Sequence, residues 1–417
     1  MREHPTVRSD QFLTPPRRSS LATAAGVLLL LVAACGSQDE AVGDGTSSAA
    51  ATETTSAVGL AEATAPPLPA ATTTAAPPQP QYDPAPELTG VDGWINSEPT
   101  TIAELNAQGR VVLIDFWTYT CINCIRTFPY LRDWHEKYSD LGLTILGVHA
   151  PEFEFEQKHA NVLAAVERHG IEYPVVQDNQ MATWRAYENL YWPAKYLVAA
   201  DGTMRYQHFG EGGYVETERA IRAALEEAGH DVSDIPLGTV DRPEIDDMAT
   251  IAFTRELYGG YGRGYRGLYA AQEQYYLGPD REVLYEDPGE HVNDVWYLQG
   301  LWRNEQEAIV HARVTEGLDD YIALRFFARS VNVVLEPVRD ESFEVIVELD
   351  GRPLRSYELG DDVVIDDDGR SVLRVDEARM YAIVEVSAFG RYELKLRSNS
   401  DNFAVFAFTF GVYLEGP

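Results

Sequence analysis

Trp117-Thr118-Tyr119-Thr120-Cys121-Ile122-Asn123-Cys124 is the stretch on which the reading of this chain turns. It follows an apolar run, Val111 to Trp117, with the character of a buried strand. It leads into residues 122–138, where Ile122, Ile125, Phe128, Leu131 and Trp134 recur at three- and four-residue steps, the spacing of one helix face. A strand, a short loop and a helix beginning at the cysteines are therefore expected. With two residues between them, both sulfurs can meet across the first helical turn. The first thiol then faces solvent at the helix N-terminus, where unpaired N–H groups and the helix dipole favour its thiolate. The second is held and shielded by the helix. This asymmetry assigns exchange with an outside disulfide to Cys121 and resolution of the mixed disulfide to Cys124.

Strand and helix patterns continue to alternate around this motif. Leu143 to Val148 reads as a strand, residues 155–169 as a helix, and Tyr173 to Val176 and Lys195 to Val198 as short strands. Ala200-Asp201-Gly202-Thr203 reads as a hairpin turn into Met204 to Phe209, and Glu216 to Ala228 as a closing helix ended by Gly229. The expected first domain, residues 87–230, is an α/β fold around one mixed sheet.

These residues resemble the thioredoxin superfamily, and most closely its extracytoplasmic branch with TlpA, ResA and the C-terminal domain of DipZ. The run Leu113 to Cys124 is DipZ-like. Asp115 stands six residues before Cys121, Trp117 four before it and Pro129 eight after it, and Trp192-Pro193 precedes the strand at Lys195, each a position of the family pattern. The resemblance implies a thiol–disulfide oxidoreductase that works through its own dithiol without a bound cofactor or metal. It implies that Asp115 is buried beside the dithiol and takes the proton of Cys124, a task suited to a carboxyl whose pKa burial has raised. The bland alternative is a structural Asp satisfied by backbone donors. Pro193 is expected in the cis form beside the disulfide. Trp117 and Trp192 are expected to contact substrate. Glu152 stands where relatives carry an active-site Glu, but Glu154 and Glu156 follow it at alternate positions, which leaves open the one that points inward.

The N-terminus reads as an address. Arg2, Arg8, Arg17 and Arg18 precede an apolar run of 14 residues, Leu21 to Ala34, too short for a comfortable span but suited to a signal-peptide core. It ends Val32-Ala33-Ala34-Cys35, which resembles the bacterial lipobox and makes Cys35 the expected lipidation site. Two or three acyl chains anchor stably. Arg17-Arg18 also leaves twin-arginine export open beside the general route. Residues 1–34 are thus a lipoprotein signal peptide. Residues 35–86 read as a tether: 25 of the 35 residues from Thr46 to Pro80 are Ala, Thr or Pro, too few large apolar side chains to offset ordering entropy.

Composition limits the alternatives. The 417 residues hold 33 Lys+Arg and 66 Asp+Glu, a net charge of -33, which repels phosphate backbones and argues against nucleic-acid binding. Three cysteines exclude a disulfide scaffold and a four-Cys zinc site.

Residues 231–249 read as a linker and 250–417 as a second domain. There, short strand patterns recur with turns such as Asp350-Gly351 between them: Tyr321–Ala328, Val331–Leu335, Phe343–Leu349, Tyr381–Val386, Arg391–Leu396 and Phe403–Phe410 among others. An all-β sandwich or jelly roll is expected, resembling the carbohydrate-module-like domain that DipZ-type proteins carry after their thioredoxin domain. Six tyrosines between Tyr258 and Tyr276 offer rings for carbohydrate or a partner, or pack an edge segment. Trp296, Tyr297 and Trp302 read as core, and Asp366 to Gly369 as a turn rather than a calcium loop.

The functional expectation is a membrane-anchored extracytoplasmic enzyme that reduces disulfide-bearing envelope proteins, supplied with electrons by a CcdA-type membrane donor. A disulfide-forming oxidase, and a glycan- or partner-binding lipoprotein with an accessory redox domain, are the rivals.

Overall fold

A computed structural model describes residues 82–238, 253–339 and 341–411. Cys35, the signal peptide and most of the tether lie outside these residues.

The first domain is built on a six-stranded sheet in the order β1-β4-β3-β2-β5-β6. Its strands are β1 (Gly93–Ile95), β2 (Val111–Trp117), β3 (Leu143–His149), β4 (Val175–Gln177), β5 (Ala194–Val198) and β6 (Met204–Phe209). β2, β3 and β4 run parallel, while β1, β5 and β6 are antiparallel to their neighbours. Helices α1 (Ile102–Ala107), α2 (Ile122–Tyr138), α3 (His159–Arg168), α4 (Ala182–Ala186) and α5 (Tyr214–Glu227) cover it. β2 and β3 are buried at every residue. That is why they read as unbroken apolar runs rather than as an alternation.

The helix expected over 155–169 is two pieces. A 3-10 turn, Glu154–Gln157, precedes α3, and Lys158 breaks the run with an extended backbone. Residues 82–86, given to the tether on composition, lie instead along the β5–β6 hairpin. Pro84 bridges Thr203, Ala85 N–H donates to the Gly202 carbonyl at 3.0 Å, and Arg205 sits over the Tyr82 ring. The start of the expected linker is likewise folded. Val232 is fully buried, and Arg222 donates to the carbonyls of Val232 and Ile235.

The second domain is an all-β sheet domain, with a short α6 (Tyr261–Gly267) after its first strand. Its strands are β7 (Leu257–Tyr258), β8 (Glu282–Tyr285), β9 (Trp296–Asn304), β10 (Ile309–His311), β11 (Tyr321–Pro337), β12 (Phe343–Leu349), β13 (Arg352–Pro353), β14 (Val363–Ile365), β15 (Ser371–Val375), β16 (Arg379–Arg397) and β17 (Phe403–Gly411). The path β14-β15-β12-β16-β11-β17-β10-β9-β8 joins them, with β13 on β12 and β7 on β17. Two pairs of expected short strands are single long ones. β11 joins 321–328 to 331–335, and β16 joins 381–386 to 391–396; their mutual register shifts at Ala328/Ser330. The halves of β11 have different neighbours, Tyr321–Leu324 pairing with β9 and Ser330–Pro337 with β17. A bulge that re-aims the strand is what lets one strand serve both. Trp296, Tyr297 and Trp302 are core, as are Tyr275 and Tyr285.

The two domains share one apolar cluster. Phe153, at the N-cap of the 3-10 turn, and Phe155, within it, pack edge-on against Phe406 of β17 at 5.3 and 4.9 Å between ring centroids. Tyr258, Ala308, Val310 and Ala404 extend that cluster on the second-domain side.

Candidate functional site: a buried dithiol at the end of a parallel strand

β2 delivers the chain to the C-terminal edge of the parallel strands, where the loop Thr118-Tyr119-Thr120 turns into α2. Cys121 is the N-cap of that helix, and its sulfur accepts the Cys124 N–H at 3.2 Å. Both cysteines are free thiols. Cys121 is partly exposed and Cys124 fully buried. Burial, with the Cys121 sulfur beside it, pushes the Cys124 thiol well above its ordinary pKa, and a backbone hydrogen bond from Thr118 opposes the rise. One sulfur can therefore meet an outside partner while the other keeps its proton until a base is supplied.

Asp115 lies on β2 with no exposed surface, and its cross-strand partner on β5 is Lys195, also fully buried. Neither carboxylate oxygen of Asp115, nor Nζ of Lys195, has a hydrogen-bond partner. Burial raises Asp115 to about 7, against the opposing pull of Lys195, and burial lowers Lys195. A carboxyl that exchanges its proton near neutrality thus stands in the same core as the buried thiol. No sequence pattern pointed to Lys195, because a lysine inside a strand looks like any solvent-facing residue until its neighbour is known.

The Trp192–Pro193 peptide is cis. Pro193 is buried, with its carbonyl taking the Gly210 N–H at 2.8 Å. Trp192 is half-buried, 4.3 Å from the Trp184 ring, and donates its indole N–H to the Ala150 carbonyl at 3.0 Å. Leu190 and Tyr191, which precede it, are exposed, and the Tyr191 ring packs at a tilt against exposed Phe209 at 5.3 Å. Trp117, expected to touch substrate, has no accessible surface. It packs edge-on against Phe128 and His149, so its position four before Cys121 is a core position here.

The three alternate glutamates resolve unequally. Glu152 reaches toward the second domain, where its carboxylate shares the Tyr258 hydroxyl, at 2.9 Å, with Glu256 at 2.7 Å, and pairs with Arg263. Glu154 is exposed. Glu156 is the inward one. It is fully buried and accepts the Thr120 hydroxyl at 2.6 Å on one oxygen. The other oxygen takes the N–H groups of Glu152 and Phe153, at 2.5 and 3.0 Å. Thr118 gives it a further side-chain hydrogen bond. Burial raises it to about 7, and these donors pull it back. The choice was not legible in the sequence because the segment is a 3-10 turn, which has no two-residue alternation. Threonines at 118 and 120, facing a buried acid, were the available signal. His149, at the end of β3, is fully buried, stacks on Tyr119 and is held down to about 3 by burial. It is a neutral ring beside the loop.

Among the described residues no group of three or more His, Cys, Asp or Glu is placed to hold a metal ion, and no helix is long and apolar enough to cross a membrane. Of the six clustered tyrosines, Tyr258 and Tyr275 are buried; Tyr265 and Tyr276 pack on Tyr275. Asp366 to Gly369 forms a turn closed by Arg370.

Residues 82–207 match the AhpC/TSA family, and residues 254–411 match the family described as thioredoxin like C-terminal domain. The chain is 36% identical over 254 residues to the protein DipZ of Mycobacterium bovis and of Mycobacterium tuberculosis; the match covers 60% of this chain and 35% of theirs. It thus spans about a third of the length of those relatives. It is 31% identical over 144 residues to the thiol-disulfide oxidoreductase YkuV of Bacillus subtilis, covering 34% of this chain and 95% of that one. Among solved structures, a thioredoxin-like protein in the oxidized form is 30% identical, with a TM-score of 0.32, covering 35% of this chain and 97% of that one.

Proposed function

The chain belongs to the thioredoxin-like oxidoreductase family, and on that premise we propose that it is a membrane-anchored extracytoplasmic enzyme that reduces disulfides of envelope proteins. The observation that carries the chemistry is the sulfur of Cys121 at the N-cap of α2, with Cys124 buried three residues on. As a thiolate, Cys121 attacks one sulfur of a substrate disulfide. That S–S bond breaks, the other substrate sulfur leaves and takes up a proton, and a mixed disulfide remains. Cys124 then gives its proton to Asp115 and attacks the Cys121 sulfur. The second substrate thiol is released, and two electrons have moved from the pair, now a disulfide, to the substrate. The exposed rim of Leu190, Tyr191 and Phe209, flanking Trp192-Pro193 in the chain and the sheet, supports a protein rather than a small-molecule substrate, since it offers a broad apolar surface.

In this reading Cys35 is lipidated, and a CcdA-type membrane protein returns the electrons. Support for both comes from the Val32-Ala33-Ala34-Cys35 run and the likeness to DipZ. Carbohydrate at the second domain has less support, because its clustered tyrosines are largely spent on packing.

The test is the equilibrium potential of the Cys121–Cys124 pair, titrated against glutathione or dithiothreitol. A value near or below about -230 mV fits a reductase, and one near about -120 mV would make the protein a disulfide-forming oxidant. The AhpC/TSA match favours a second reading, peroxide reduction, with Thr118 three residues before Cys121. Against it, the Thr118 hydroxyl lies 3.5 Å from His149 and bonds Glu156. Consumption of hydrogen peroxide by the reduced protein decides it.

A further inference from the structure

A continuous path of contacts runs from the dithiol into the second domain. The Cys124 sulfur bonds the Thr118 backbone. The hydroxyls of Thr118 and Thr120 are held by the Glu156 carboxylate, which also ties down the N–H groups of Glu152 and Phe153. The Glu152 side chain then crosses to Tyr258 and Arg263. In parallel, Phe155 lies between Tyr119 of the redox loop, at 6.2 Å, and Phe406 of β17, at 4.9 Å. The Glu154 N–H donates to Glu307, also from the second domain, at 3.0 Å.

The segment that carries Glu156 is a single four-residue turn. A turn that short has little stability of its own. Its two apolar side chains, Phe153 and Phe155, are buried against Phe406. The place of the turn, and so of the carboxylate, is set by what it packs on. Four donors surround Glu156 while, among the described residues, no cation pairs with it, so its charge acts directly on the loop from which Cys121 projects.

We propose that the second domain is a positioning element of the redox site. Tyr258 and Arg263 through Glu152, and Phe406 through Phe153 and Phe155, hold Glu156 against Thr118 and Thr120 and thereby set the thiol–disulfide equilibrium of Cys121 and Cys124. None of these second-domain residues touches a sulfur; they act through Glu156. The inference rests on the pair being redox-active, as proposed above.

The test uses the full chain, equilibrated at pH 8 with glutathione buffers, with the reduced fraction read by thiol alkylation and mass. Glu156→Gln removes a negative charge beside the reduced pair and is expected to favour the dithiol by about tenfold, roughly 30 mV less negative for a two-electron couple. Tyr258→Phe, which keeps the ring and removes one oxygen, and Phe406→Leu let the turn drift and are expected to shift the equilibrium the same way by about threefold. The pH profile of Cys121 alkylation should move with it. If Glu156→Gln shifts the potential while Tyr258→Phe, Arg263→Gln and Phe406→Leu all stay within about twofold of the parent, the clamp is local and the proposal is overturned. No shift in any variant overturns it as well. Should Glu156→Gln or Phe406→Leu fail to fold, Thr120→Val and Tyr258→Phe carry the same comparison. A parent protein with no reversible dithiol–disulfide equilibrium is a distinct result, and it defeats the functional reading instead.

Discussion

Asp115→Asn is expected to stabilise the protein above neutral pH while slowing its turnover. Burial holds the Asp115 carboxyl at about 7, against 3.8 ordinarily. The folded state therefore keeps a proton that the unfolded state has already released between those two values. The contribution of Asp115 to folding stability is fully present below about pH 4, falls as pH rises, and is gone once pH passes 7. Three units at about 1.4 kcal/mol each give roughly 4 kcal/mol lost by pH 8.5, of which about 2 kcal/mol goes between pH 5.5 and 8.5. Asparagine has no such charge to bury. Its stabilising effect should therefore be about 2 kcal/mol larger at pH 8.5 than at pH 5.5. Lys195 adds to the trend: without Asp115 it is harder to protonate inside the core, which weakens the variant at the acid end. Denaturant unfolding of parent and variant at both pH values, followed by near-ultraviolet circular dichroism, measures this. In the same variant, release of substrate from the mixed disulfide should slow by about a hundredfold or more, the usual worth of a positioned base. An equal stability difference at both pH values would refute the argument, because Asp115 would not then be titrating between them.

Cys124→Ser should still form a mixed disulfide with a protein substrate but not resolve it, so that the adduct accumulates on gels run without reductant; Cys121→Ser should form none. Trp117→Ala should cost about 3–5 kcal/mol in stability, the range for removing a buried indole, as read by denaturant midpoint. A loss of substrate affinity without a loss of stability would instead return Trp117 to the binding surface. The His149 imidazole, held down to about 3, should show no titration by nuclear magnetic resonance between pH 8 and 5. A midpoint inside that interval would mean the ring reaches solvent.

Much of the first domain is legible in the sequence because its signals are local. The strand before Cys121, the helix steps after it and the Trp192-Pro193 dipeptide are each readable within a few residues, and β6 falls on Met204–Phe209 as expected. What escapes is what depends on partners distant in the chain. Lys195 becomes informative only when β5 is laid beside β2, and Glu156 only when its turn is laid beside Thr120. Trp117 shows the converse: its spacing from Cys121 suggests a substrate contact, while its placement under His149 makes it core. In the second domain, bulges interrupt the alternation of β11 and β16 and make each look like two strands. β9 is hidden by Gly300, which has a positive φ of 96° and leaves room for the Asp320 carboxylate where a Cβ would stand. Removing the second domain is accordingly not a neutral way to ask what the first does, since the cut uncovers Phe153 and Phe155.

The Pro84–Thr203 bridge has a consequence for where the chain can be cut. Thr203 immediately precedes β6, which ends at Phe209, and Phe209 pairs with Ala194, next to Pro193. Residues 82–85 therefore lie against the end of β6 away from Pro193, about 15–20 Å along a strand of this length. A chain cut at residue 87 would therefore strip the β5–β6 hairpin of the backbone bonds that Asp83 and Ala85 make to it, and leave that edge of the sheet open.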